Sequence, residues 1–222
     1  MNLRHIQPNA LRMKRMLDVM RARGVEDARV LEAMGRIPRE LFVSRALAVD
    51  AYDDVTLPIG EQQTISMPSV VGFMTQSLGL MGREKVLEIG TGCGYQSAIL
   101  CKLARRVYSV ERLAGLARTA QERLTHMGIT NLITMVGDGT LGWPAQAPFD
   151  AIIVTAAGPR VPQALVDQLK VGGRLVIPVG PTETDQRLLR VIKLDDESTH
   201  EEVLGRVVFV PLVGVQGVAA SR

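Results

Sequence analysis

The 222-residue chain is poor in the residues that would staple or anchor it. It has two cysteines, Cys93 and Cys101, so no disulfide framework is implied. Two lone thiols fit a reducing compartment, which points to a cytoplasmic protein. No run of eighteen apolar residues occurs, so nothing reads as membrane-spanning. The start, MNLRHIQPNALRMKRML, is basic but has no continuous apolar stretch and does not read as a secretory signal. Histidine is scarce as well. His5, His126 and His200 lie far apart with no metal-ligand spacing, so each reads as a surface residue and no metal site is expected. A net charge of +3, scattered along the chain, gives no basic stripe for nucleic acid. The densest basic cluster, residues 12–15, reads as the solvated face of a helix. No oligomeric state is implied.

What is present is an ordinary globular composition, 46% apolar and 22% charged, long enough to bury a core in one domain with an appendage. The first 80 residues read mostly as helical. Met13, Met16, Leu17 and Met20 share one helical face, and Gly24 ends that helix. EDARVLEAMGRI is a second helix, and PRELFV opens with a proline suited to a first turn. The polar, turn-rich stretch DAYDDVTLPIGEQQTISMP reads as a functional loop or short edge structure, and residues 69–81 are again helical. From residue 84 strands and helices alternate: KVLEIG, RVYSVE, NLITMV, DAIIVTAA and RLVIPVG are the strands. That spacing predicts a doubly wound α/β sheet with parallel strands. RLLRVIKL and EVLGRVVFVPL, joined by the short DDESTH, add at least one antiparallel neighbour. The expected division is a helical region with a covering loop over 1–80, a ligand-binding core over 81–215 and a loose tail over 216–222.

The strongest local signal is VLEIGTGCGYQ, placed after a strand and before a helix. Gly90, Gly92 and Gly94 permit a sharp turn and close ligand approach. The spacing is G-x-G-x-G, unlike the dinucleotide motif. Glu88, just before the glycines, would repel a pyrophosphate and suit an ammonium-bearing ligand. S-adenosylmethionine has an α-ammonium, a sulfonium and no phosphate. Glu111 ends the second strand, where a carboxylate can accept hydrogen bonds from both ribose hydroxyls. Asp138, in Gly137-Asp138-Gly139, stands at the next strand end, where it can take the adenine amino proton. Singly, each has a plainer reading: a spare-glycine turn, a helix N-terminal acid and a turn. Together they fall on one edge of one sheet, where open α/β folds bind ligands.

From about residue 35 to residue 213 the chain resembles the protein-L-isoaspartate O-methyltransferases. The resemblance is carried by RIPRELFV, AYDDVTLPIG, QTIS with Pro68, VLEIGTGCGYQ, SVE, GDG, FDAIIVTAA, QLKVGGRLVIPVG and FVPL. It implies a class I methyltransferase (Rossmann-like), doubly wound mixed sheet, with an N-terminal helical addition and a final strand order unlike most methyltransferases. It implies S-adenosyl-L-methionine as cofactor and isoaspartyl-containing peptides and proteins as partners. The α-carboxyl of L-isoaspartyl residues would be methylated, D-aspartyl side chains more weakly, and the ester would collapse to a succinimide that starts repair. By position, Ser66 matches the active-site serine, with Thr64 and Ile65 beside it in the loop covering cofactor and substrate. Glu88, Gly90 and Gly92 match the methionine end of the pocket, Glu111 the ribose contact, and Asp138 with Gly139 the adenine contact. The chain departs from the family pattern at Gln62, Met67, Cys93 and Thr140.

The chemistry fits this inventory. A carboxylate with a pKa near ~4 is ionised at neutral pH, so no general base is needed. The enzyme's work is orientation and exclusion of water. Without the resemblance, Ser66 reads as a cap for the helix starting near Pro68. Two other functions remain open on the residues alone: a class I methyltransferase for a small molecule or RNA, and a non-catalytic S-adenosylmethionine-binding protein.

Overall fold

The computed structural model describes residues 6–182 and 184–219. His5 and the chain end beyond residue 219 lie outside the described residues. α1 (Ile6–Ala22) buries Met16 and Met20, and Met13 and Leu17 pack against the same cluster, as their spacing predicts. Lys14 and Arg15 are exposed, which makes that basic cluster a solvated helix face. α2 (Ala28–Arg36) is capped by Asp27, whose carboxylate accepts from Arg29 N at 2.9 Å. PRELFV forms only one 3-10 turn, Arg39–Phe42, with Pro38 just before it.

The turn-rich stretch that follows closes as a hairpin of β1 (Leu57–Gly60) and β2 (Gln63–Ile65). Its tip holds Glu61 and Gln62 at φ of 51° and 57°. Gln62 therefore stands where a glycine would sit without strain. α3 (Pro68–Ser77) stops short of the expected residue 81 because the chain turns left-handed at Gly79, whose amide bonds Gln76 O.

The remaining chain builds a seven-stranded sheet from β3 (Lys85–Ile89), β4 (Arg106–Glu111), β5 (Leu132–Val136), β6 (Phe149–Val154), β7 (Leu169–Thr182), β8 (Asp185–Lys193) and β9 (Thr199–Val207). Its order is β5-β4-β3-β6-β7-β8-β9. The first five strands are parallel, and β7, β8 and β9 run as an antiparallel meander. The expected mixed sheet is present. α4 (Tyr95–Leu103), α5 (Ala114–His126) and the short α6 (Gln163–Asp167) complete the layers.

Both faces of the central strands are buried, so they read as unbroken apolar runs. Val86, Val107, Ile153 and Val176 face the cluster shared with α1 to α4. Leu87, Val110, Ile152, Val154 and Ile177 face a second cluster with Leu165 of α6. Trp143 adds to the second cluster, edge-on to Tyr108 at 5.5 Å. The N-terminal helices and the sheet thus share one continuous core. Among the described residues no helix is long and apolar enough to cross a membrane.

One buried cation holds two loops of the N-terminal region together. Arg39, fully inaccessible, donates from Nε to Ala51 O at 2.7 Å and from Nη2 to Ser66 O at 2.6 Å, and its guanidinium lies 4.7 Å over the Tyr95 ring. Arg39→Met keeps most of the bulk and leaves both carbonyls unpaired. The expected loss is at least about 2 kcal/mol, read as a lower urea midpoint. An unchanged midpoint would show that Arg39 is no strut.

Candidate active site

The cleft lies where the sheet order reverses direction, beyond the carboxyl ends of β3, β4 and β6. Parallel strands there release their chains toward opposite faces, which leaves a crevice. It encloses about 940 Å³ of space, its open mouth included. Three segments distant in sequence form its walls. The β1–β2 hairpin and the Thr64-Ile65-Ser66 segment close one side, the glycine loop forms the floor, and residues 209–213 close the other side.

Gly90 of the glycine loop and Gly139 of the GDG turn have no room for a side chain. A Cβ at Gly90 would meet Thr155 Oγ1 at 2.3 Å, and one at Gly139 would meet Ile89 Cγ2 at 2.4 Å. Thr155 is fixed there, its hydroxyl donating toward Ile89 O at 3.0 Å and Gly90 O at 2.8 Å. Glu111 ties the loop down. Its Oε2 accepts from Gly92 N at 2.8 Å and its Oε1 from Leu113 N at 2.9 Å. A carboxylate has about four lone-pair sites, so each oxygen keeps capacity for a further donor. Glu111 lines the cleft with that capacity available.

Thr64, Ile65, Ser66, Gly90, Gly92, Glu111 and Gly139 are brought together around this one space. Ser66 is not the cap of α3. Asp54 serves that end from fifteen residues away, accepting from Ser69 N at 2.9 Å and Ser69 Oγ at 2.8 Å. The Ser66 backbone is pinned through its carbonyl by Arg39, and the residue lines the cleft with no capping bond at the start of α3. A smaller chamber adjoins the cleft, sharing Thr64, Ser66, Thr155, Phe209 and Val210, and adds Met67 and Val208 to its lining.

Two residues are not where the sequence argument needs them. Glu88 does not line the cleft. Strand alternation turns it with Val86 toward α4, where it is fully buried and accepts from Ser97 Oγ at 2.5 Å and Ser109 Oγ at 2.7 Å. Burial pushes its pKa up to about 8, against the two serine hydrogen bonds, with Glu111 adding to the rise. A neutral, inward-facing acid offers no charge to an ammonium group. Its link to the loop is indirect: Ser109 Oγ also lies 2.6 Å from Thr91 Oγ1, between the first two glycines.

Asp138 does not line the cleft either. Its carboxylate accepts from Thr140 N at 2.8 Å, Thr140 Oγ1 at 2.6 Å and Val215 N at 2.8 Å. These bonds hold its pKa low despite partial burial. The same corner binds the end of the chain: Gln216 N donates to Thr140 Oγ1 at 3.1 Å, and Val218 N to Leu212 O at 2.8 Å. Residues 216–218 are therefore tethered, contrary to the loose tail expected from 216 onward. Thr140, one of the departures from the family pattern, is buried at the centre of that tether.

Thr155 and residues 209–213 also shape the cleft, without a sequence pattern that assigns them to it. The small residue after a strand end could have flagged Thr155. FVPL, residues 209–212, carries part of the resemblance but reads locally as the end of a strand, with no sign of a cleft wall. Cys93 lines the cleft, but burial raises its thiol pKa, as it does for Cys101. Among the described residues no cluster could hold a metal ion. His126 and His200 are exposed.

Comparison with known proteins decides the family. The family model described as protein-L-isoaspartate(D-aspartate) O-methyltransferase matches residues 11–217. The chain belongs to that family. A protein-L-isoaspartate O-methyltransferase of Syntrophus aciditrophicus is 53% identical over 206 residues, covering 91% of this chain and 94% of its own. A solved protein-L-isoaspartate O-methyltransferase superposes with a TM-score of 0.81 at 30% identity, over 92% of this chain and 67% of that one. A Plasmodium falciparum chain crystallised with S-adenosyl-L-homocysteine shares the fold at TM-score 0.78 and 23% identity, over 90% of this chain and 97% of its own.

Glu88 makes stability pH-dependent in a defined sense. Its folded pKa of about 8 lies above the ordinary 4.5, so the native state keeps a proton that the unfolded chain has released. This contribution is full below about 4.5, declines as pH rises to about 8, and is flat beyond. Glu88→Gln is expected to remove that decline from urea midpoints measured across the window. An identical slope in the variant would show that Glu88 is not the titrating group.

Proposed function

We infer that this protein methylates the α-carboxyl of L-isoaspartyl residues, and D-aspartyl residues more weakly, in damaged peptides and proteins. The observation that carries this reading is Ser66, a hydroxyl left free of the helix cap at the junction of two adjoining chambers. The larger chamber suits S-adenosyl-L-methionine, which supplies an electrophilic methyl group. Glu111 would receive the ribose hydroxyls, and Gly90 and Gly92 would give the ligand close backbone approach. The wall bearing Gly139 would take the adenine end. Glu88 would act from behind the loop and Asp138 through the chain end, rather than by contact. The smaller chamber would take the isoaspartyl side of the peptide, with its carboxylate fixed by the Ser66 hydroxyl.

The residues then have limited work to do. The nucleophile arrives ionised, so no side chain must remove a proton, and among the described residues no histidine lines the cleft. Thr64, Ile65 and Ser66 would exclude water and hold the two ligands in line, an effect worth up to about 7–11 kcal/mol when orientation is good. We assign the covering of substrate and cofactor to residues 1–80 and cofactor binding to 81–215, with Val208 to Val210 adding to the peptide chamber. The two free thiols support placement in the reducing cytoplasm.

Two peptides differing only in Asp versus isoAsp, given labelled cofactor, test the activity. Base-labile label on the isoAsp peptide alone is expected, and equal or absent labelling of the pair would sink the reading. Ser66→Ala should lower kcat/KM by about ten-fold or more, the loss of one hydrogen bond to a charged group. Its affinity for S-adenosylhomocysteine should hold. A collapse of cofactor affinity would instead make Ser66 a cofactor residue.

A further inference from the structure

The wall formed by residues 208–218 is held at two separate places. Its far half is tied to the cofactor side of the fold. Val210 O accepts from Ala157 N at 2.8 Å, Leu212 N donates to Ala157 O at 2.7 Å, and Asp138 and Thr140 hold Val215 and Gln216. Its near half departs from the sheet. β9 ends at Val207, paired with Gln186 of β8, and from Val208 onward the chain leaves the ladder. The ladder's next pair of backbone bonds is replaced by one side chain. The buried amide of Gln186 accepts from Phe209 N at 2.6 Å and donates to Phe209 O at 3.0 Å. A primary amide offers one acceptor and one donor side by side, so it can stand in for a strand's peptide group.

We propose that Gln186 is a positioning residue that sets the peptide side of the active site through the Phe209 backbone. The inference rests on the methyltransferase reading above. Val208 lines the smaller chamber alone, beside Ser66, and Phe209 and Val210 line both chambers. Val208 is 74% exposed at that mouth, an apolar side chain held outward where a peptide would pass. Because Val210, Leu212, Val215 and Gln216 keep their anchors on Ala157, Asp138 and Thr140, releasing Phe209 should disturb the chamber that Val208 lines far more than the cofactor end of the cleft. Gln186 thus separates recognition of the peptide from binding of S-adenosylmethionine, although both use the same strap.

The test uses steady-state kinetics of the full chain with an isoaspartyl peptide, together with S-adenosylhomocysteine binding on the same preparations. Gln186→Glu keeps the acceptor for Phe209 N and loses the donor to Phe209 O. Gln186→Met loses both and adds no charge. Each variant is expected to raise the peptide KM about ten-fold, the effect of losing a buried hydrogen bond, with little change in kcat. Cofactor KM and S-adenosylhomocysteine affinity should stay within about two-fold of wild type, since a contact that serves one ligand alone moves one constant alone. An unchanged peptide KM in both variants would overturn the proposal. So would parallel loss of cofactor and peptide binding, because it would make Gln186 a general structural residue. If the wild-type protein does not methylate the isoaspartyl peptide, the functional reading fails first, and Gln186 loses its role with it.

Discussion

One carboxylate joins the two loops on which the cleft depends. Glu111 stands at the end of β4 and accepts hydrogen bonds from the amides of Gly92, in the loop after β3, and Leu113, at the start of α5. Parallel strands end with unsatisfied backbone groups, and the loops that follow them have no sheet to hold them. Glu111 supplies that restraint at the point where the sheet order reverses. With the glycine loop fixed, Thr155 can bond its carbonyls, Thr91 can reach Ser109, and the approach of Ile89 to Gly139 becomes possible. The cleft floor is thus made of backbone, and a ligand meets main-chain groups there.

Around that floor two equally buried groups differ in charge. Glu88 is raised toward neutrality behind the loop, whereas Arg39 stays a cation among two carbonyls and an aromatic ring. The Arg39 guanidinium bonds the carbonyl of Ser66 itself. A positive charge is therefore buried directly behind the residue assigned to the substrate carboxylate. Such a fixed field favours an anion at the mouth of the smaller chamber without any mobile side chain. It fits a reaction in which an already ionised oxygen must be oriented.

The sheet was legible in the sequence because its signals are local. Strand runs and intervening helices recur at short spacing, Glu111 closes a strand, and the glycine loop and the GDG turn follow strand ends directly. The Ser66 segment became legible through resemblance and not through periodicity. What failed was side-chain direction. Glu88 was expected in the cleft, but one step of strand alternation sends it to the opposite face. Asp138 was expected at the adenine, but it answers to Val215, seventy-seven residues away. The Gln186 clamp on Phe209 spans twenty-three residues and uses a residue type with no pattern of its own. Such pairings depend on the tertiary path of the chain, which no window of sequence contains.

The central claim is that cofactor and isoaspartyl carboxylate meet at Ser66, one from each chamber. A crystal structure with S-adenosylhomocysteine and an isoaspartyl peptide tests it most directly. Ribose hydroxyls are expected on Glu111, the thioether sulfur directed at the opening between the chambers, and the α-carboxylate on the Ser66 hydroxyl. A ribose held away from Glu111, or a peptide carboxylate bound outside the chamber lined by Ser66 and Val208, would contradict it.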